Sequence, residues 1–104
     1  MRLNSYETIY ILRPDVSENI NLSLVTYYKK FIKKKGAQEI FIQHRGRRHL
    51  SYNINSYYDG IYVQMNYKGN GILVNSLEKS MRFNNIIIRF LTTKNNLVSD
   101  AINY

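Results

Sequence analysis

At Gly36 the spacing of apolar residues changes, and that change constrains the fold more than any other feature of the chain. Before it, Ile20, Leu24, Tyr28, Phe31 and Ile32 recur at the spacing of a helix with one buried stripe. After it, Ile40 and Ile42 alternate with Phe41 as in a strand, and alternation resumes at Leu50, Tyr52 and Ile54. Between these two runs lies Gln43-His44-Arg45-Gly46-Arg47-Arg48-His49, with three arginines around one glycine. A long strand bent at Gly46 accommodates both runs, because glycine accepts a bend or bulge that residues with side chains resist.

The flanking segments extend the pattern. Ser5 to Leu12 alternates Tyr6, Thr8, Tyr10 and Leu12 with Glu7, Ile9 and Ile11, which reads as a first strand ended by Pro14 and Asp15. Ser17 is placed to cap the first helix, Glu18 suits its positive end, and Lys29, Lys30, Lys33 and Lys34 form a basic back. Asn55 to Gly60 carries turn chemistry between the bent strand and a third strand, in which Ile61, Val63, Met65 and Tyr67 alternate with Tyr62, Gln64 and Asn66. Lys68 to Gly71 breaks the chain again. Leu73, Val74, Leu77 and Met81 then form a second helical stripe of about three turns, although Gly69 and Gly71 are a poor start signal. Asn84-Asn85 leads into a last strand over Ile86 to Leu91.

The resulting order, β-α-β-β-α-β, predicts an α+β fold: a ferredoxin-like sandwich whose four-stranded antiparallel sheet has the order 4-1-3-2, with both helices on one face. Residues 1–95 are expected to form one domain and 96–104 a short tail. In a two-layer sandwich the uncovered sheet face should be largely polar. Here Ile9, Ile11, Ile87 and Leu91 stand beside apolar residues of the opposite parity, so a protein partner or RNA is expected to cover that face.

Charge narrows the class of partner. Fifteen Lys and Arg against seven Asp and Glu give a net charge of +8, which favours polyanions, nucleic acid before an anionic membrane. The absence of cysteine removes disulfides, thiolate zinc sites and thiol catalysis. Ile86-Ile87-Ile88 is far too short to cross a bilayer, and with strand alternation beginning at Tyr6 no leader is expected. No membrane association is expected.

Catalysis is not expected either. His44 and His49 flank the arginine kink without a neighbouring carboxylate or nucleophile in sequence, and two histidines give no metal-ligand spacing. Gly69-Asn70-Gly71 lacks the lysine and hydroxyl of a phosphate-binding loop. No cofactor, metal or small-molecule substrate is called for. Arg45, Arg47 and Arg48, by contrast, offer three planar forks suited to RNA phosphate. Arg89 lies within an apolar strand and reads equally as an arginine paired with Glu7 or as an RNA or partner contact. Gly60-Ile61-Tyr62-Val63-Gln64-Met65 matches the third-strand signature of RNA-recognition motifs only in fragments, so base stacking of that kind is not expected.

Together these residues resemble a known family, bacterial-type small-subunit ribosomal protein six, which also occurs in plastids. The resemblance covers nearly the whole chain. It rests on Tyr6-Glu7, Arg13-Pro14-Asp15, Gly46-Arg47-Arg48 followed by Leu50, Tyr52 and Ile54, Tyr62-Val63 with Met65, and Leu77 followed by Arg82-Phe83-Asn84 and Ile88-Arg89. It implies the same fold and a structural, non-catalytic role in the platform of the small subunit. There the family binds the central domain of 16S-type rRNA together with small-subunit ribosomal protein eighteen. Asn53 stands where many members have proline, and the acidic C-terminal extension of some members is absent.

The expected RNA-binding set is Arg2, Arg45, Arg47, Arg48, Arg82 and Arg89, of which Arg47, Arg48, Arg82 and Arg89 match the family's basic positions. Glu7, Ile9, Tyr62 and Gln64 are the expected partner-protein contacts. The expected location is a plastid ribosome, consistent with a chain rich in Asn, Ile, Lys and Tyr, with a bacterial cytoplasm as the alternative. A different class of function, a free ferredoxin-like domain that homodimerises through its sheet, would also occupy the open face.

Overall fold

The computed structural model describes residues 3–94, so Arg2 and the tail 96–104 lie outside the described residues. The elements are β1 (Asn4–Leu12), α1 (Glu18–Lys34), β2 (Gln38–Ile54), β3 (Tyr57–Gly69), α2 (Gly71–Arg82) and β4 (Ile87–Lys94). All pairings are antiparallel and the sheet order is β2-β3-β1-β4, the expected order viewed from the other edge.

One core joins the sheet to both helices. Tyr10 and Leu12 of β1 and Val63, Met65 and Tyr67 of β3 meet Leu24, Tyr28 and Ile32 of α1 and Leu73, Leu77 and Met81 of α2. The rings of Tyr10 and Tyr28 pack edge to face with centroids 5.9 Å apart. Thr8 is fully buried among them, and its hydroxyl is satisfied by Tyr67 Oη at 2.9 Å and Thr92 Oγ1 at 2.8 Å. That threonine pair carries β4 on to Lys94, beyond the expected end at Leu91: Thr92 and Thr93 look polar, but they pair with Thr8 and Glu7.

Three local expectations are corrected. In α1 the inward stripe is Asn21, Leu24, Tyr28 and Ile32; Ile20 lies one position off that line and is 46% exposed. Helix α2 has a capping signal that its flanking glycines obscured, because Asn70 Oδ1 accepts the Leu73 N–H at 2.8 Å. The turn between β2 and β3 shrinks to Asn55 and Ser56, whose φ values of 51° and 70° suit a tight hairpin. Gly60 is therefore a strand residue. A Cβ there would lie 2.3 Å from Ile11 Cγ2, so glycine is required by the close approach of β1 rather than by a turn.

Candidate nucleic-acid and partner interface

Among the described residues no helix covers the opposite face of the sheet, and its geometry is set by two of the three irregularities in the β2–β3 pairing. At the first, His44 pairs with Val63 and Gly46 with Tyr62, so β2 advances two residues while β3 advances one. This is a bulge with glycine at φ 85°, the backbone region where a side chain is disfavoured. At the second, β2 advances five residues from His49 to Ile54 against two on β3, and Leu50 to Asn53 bow out of the ladder.

The bulge sorts the arginines. Arg45 turns onto the open face, where its Nε and Nη2 donate to Gln64 Oε1 at 3.1 and 2.7 Å. Gln64 Nε2 in turn donates to Glu7 Oε2 at 3.2 Å and to Asn66 Oδ1 at 3.1 Å, forming a polar string across three strands. Arg48 rejoins Arg45 on this face. Together with Ile9, His49, Tyr62 and Gln64 they line a cleft of about 390 Å³. Two expected RNA contacts and three expected partner contacts thus share one concavity, and the fourth, Glu7, is tied to it through Gln64.

Arg47 is not with them. Its Nη2 donates to the Pro14 carbonyl at 3.0 Å and its Nη1 lies 3.5 Å from Asp59 Oδ2, so the expected group of three is split. This side chain clasps the hairpin to the β1–α1 connection, where Arg13 forks onto Asp15 at 3.0 and 2.9 Å. The hydrogen bonds from Arg13 hold the Asp15 carboxyl below its usual range, and Asp15 raises Arg13 in return. Tyr57 completes the clasp: its hydroxyl donates to Asp15 Oδ2 at 3.4 Å and its ring lies 5.6 Å from the Arg13 guanidinium carbon.

Arg89 reaches the open face from β4, but its partner is not Glu7. The register sets Arg89 opposite Ile11 and Glu7 opposite Thr93. Arg89 Nη1 instead donates to the Tyr52 hydroxyl, with the guanidinium 6.0 Å from that ring centroid. The bow in β2 brings Tyr52 across. Sequence reading missed this pairing, since no local spacing connects residues 52 and 89. Beside it, Ile9, Ile11, Phe90, Leu91 and Arg89 line a smaller apolar hollow of about 170 Å³. Arg82 stands apart, exposed in the last turn of α2 on the other layer.

The two histidines share no site. His44 is exposed opposite Val63, while His49 Nδ1 lies 2.5 Å from Asp59 Oδ1, a carboxylate contact that the sequence order concealed. That carboxylate also serves Arg47. Among the described residues no cluster of His, Cys, Asp or Glu could hold a metal ion, and no helix is long and apolar enough to cross a membrane.

Comparison with known proteins agrees over the same span. The family model described as Ribosomal protein S6 matches residues 5–94. The chain is 58% identical over 94 residues to the small ribosomal subunit protein bS6c of Pyropia yezoensis, covering 90% of this chain and 86% of that one. It is 56% identical over 100 residues to bS6c of Gracilaria tenuistipitata var. liui, covering 96% and 97% of the two chains. The crystal structure of 30S ribosomal protein S6 from Thermotoga maritima superposes with a TM-score of 0.89 at 25% identity, covering 98% of this chain and 96% of that one.

Proposed function

The chain belongs to the ribosomal protein S6 family and is a structural protein of the small ribosomal subunit, not an enzyme; from that premise we propose that its open sheet face docks two neighbours at once. One is the central-domain rRNA, whose phosphates meet Arg45, Arg48 and Arg89. The other is small-subunit ribosomal protein eighteen, seated on Ile9, Tyr62 and Gln64. The ribosome is that of a plastid, in keeping with the two red-algal relatives.

The observation that carries this reading is the bulge at Gly46, which puts Arg45 and Arg48 into one cleft with Ile9, Tyr62 and Gln64. Two cations at the rim of a part-apolar concavity suit a joint surface: the charges neutralise phosphate and fix register, and the apolar floor takes a protein side chain. Arg47 supports the face from behind by holding the hairpin. Arg82 supplies a further phosphate contact, and Arg2, outside the described residues, is assigned to the same RNA-binding set.

Replacing Arg45 and Arg48 together by alanine tests the assignment. On central-domain rRNA carrying protein eighteen, the slope of log affinity against log salt should fall by about two, one for each phosphate that is no longer neutralised. An unchanged affinity and slope would return both arginines to a structural role.

A further inference from the structure

The layer opposite the open face carries a second concavity that the proposed interface does not use. The middle of α1 and the end of α2 enclose a groove of about 610 Å³, lined by Leu24, Tyr27, Tyr28, Ser80, Phe83 and Asn85 among others. Two large rings stand in solvent there: Phe83 is 75% exposed and Tyr27 is 52% exposed. The floor is fixed. Tyr28 is fully buried, its hydroxyl accepts from Asn84 Nδ2 at 3.2 Å and lies 3.3 Å from Ser80 Oγ, and Asn84 Oδ1 accepts the Ile86 N–H at 3.0 Å. Tyr27 packs edge to face on Tyr28 with centroids 5.0 Å apart. Its other side borders a further hollow of about 470 Å³ that includes Lys30.

Charge identifies the occupant. Among the described residues no acidic side chain lines either hollow. Arg82 directly precedes Phe83, and Lys79 lies one turn earlier on α2. Single-stranded nucleic acid is bound where cations accompany exposed rings, and here Lys30 lines the hollow beside Tyr27 while Arg82 adjoins Phe83 in the chain.

We propose that this groove receives an unpaired RNA nucleotide, its base against Tyr27 and Phe83 and its phosphate on Arg82. The inference rests on the reading of the chain as an rRNA-binding protein and extends it to the helical layer, so that the protein contacts RNA on both of its faces. Ring contact of this kind tolerates any base, because every base offers a π-face.

The test uses the full chain and two labelled probes, a single-stranded RNA decamer and a duplex with the same number of phosphates, compared by fluorescence anisotropy. The double variant Tyr27→Ala with Phe83→Ala removes both rings and should lose about tenfold in affinity for the single strand while holding its affinity for the duplex. Phe83→Tyr should keep the single-strand affinity. Equal losses on both probes, or none on the single strand, would overturn the proposal. The variant Arg45→Ala with Arg48→Ala separates the two readings: if it weakens RNA binding while the ring variant does not, the groove inference falls and the rRNA reading stands. If the unmodified chain binds neither of these probes nor central-domain rRNA, both fall. Within assembled small subunits, photocrosslinks from thiouridine-labelled rRNA should map to the peptide containing Phe83; crosslinks there to a ribosomal protein alone would overturn the proposal.

Discussion

Gln64 and Met65 are neighbours on β3, yet they belong to two different environments. Met65 is fully buried beneath the helices, within the hydrophobic core cluster. Gln64 points the other way, between Arg45 and Glu7, on a face that stays half open. One strand thus separates what holds the domain together from what the domain presents, and a single residue step crosses between them. Met65→Ala should be the most damaging change, costing about 2–5 kcal/mol because the cavity it leaves cannot fully close. Gln64→Ala should cost less than about 1 kcal/mol in stability and act on binding instead. Urea unfolding of both variants checks this. Equal midpoints would mean that the open face is part of the core, and the comparison would break.

Gly46 is the point where the two environments are coupled. Its φ of 85° is disfavoured for a side chain, and among the described residues nothing beyond its chain neighbours lies within 4 Å of where a Cβ would sit. The cost of Gly46→Ala is therefore conformational rather than steric, about 1–2 kcal/mol. Asparagine tolerates this backbone region better, so Gly46→Asn should melt above Gly46→Ala. If alanine is the better tolerated of the two, the bulge is not held by glycine's backbone freedom, and the sorting of Arg45 from Arg47 needs another cause.

Much of the architecture was legible because each element repeats its own signal. The change of period at Gly36, the alternation in β1 and β3 and the two helical stripes fix element type and order, and compact topology then leaves few arrangements. The site was less legible, for a physical reason. Arg45, Arg47 and Arg48 look equivalent in sequence, but a bulge adds one residue to the strand and reverses which of them share a face. Tyr52 met Arg89 only through the bow in β2, and Asp59 met His49 only across the hairpin. Such pairings depend on register, which local spacing does not encode. Asn70 is a different case: a capping residue three positions before Leu73 is a readable signal, obscured by its flanking glycines.

The core face has its own imperfection, and it sharpens the contrast. Among the described residues the buried Tyr10 hydroxyl has no hydrogen-bond partner, and that burial, with Tyr28 alongside, raises its pKa. A buried, unpaired hydroxyl opposes folding, so Tyr10→Phe should stabilise the domain by about 1 kcal/mol while leaving RNA binding unchanged. Thermal melts read the first effect and the salt-dependent binding assay the second. A loss of stability would show that the hydroxyl has a partner, and the helix-covered face would then be less purely apolar than Met65 suggests.

The smallest effect belongs to the clasp at the edge of both faces. Arg13 holds the Asp15 carboxyl below its ordinary value, and a carboxyl depressed on folding contributes stability that is present above its unfolded pKa, near 4, and lost as pH falls through the folded value. Arg13 is shifted upward from an already high value, so its own contribution does not change anywhere in that acid window. Asp15→Asn should therefore melt slightly below the unmodified chain at neutral pH, and the gap should close on acidification below pH 4. Both side chains face solvent, which keeps the gap small and makes it shrink with added salt. A gap independent of pH would mean that Asp15 acts through the neutral hydrogen bond from Tyr57 rather than through its charge. The clasp would then orient the hairpin by geometry alone, and Arg47, which reaches the adjacent Pro14 carbonyl, would become the main electrostatic link between the β1–α1 connection and the arm that carries Arg48 and Tyr52.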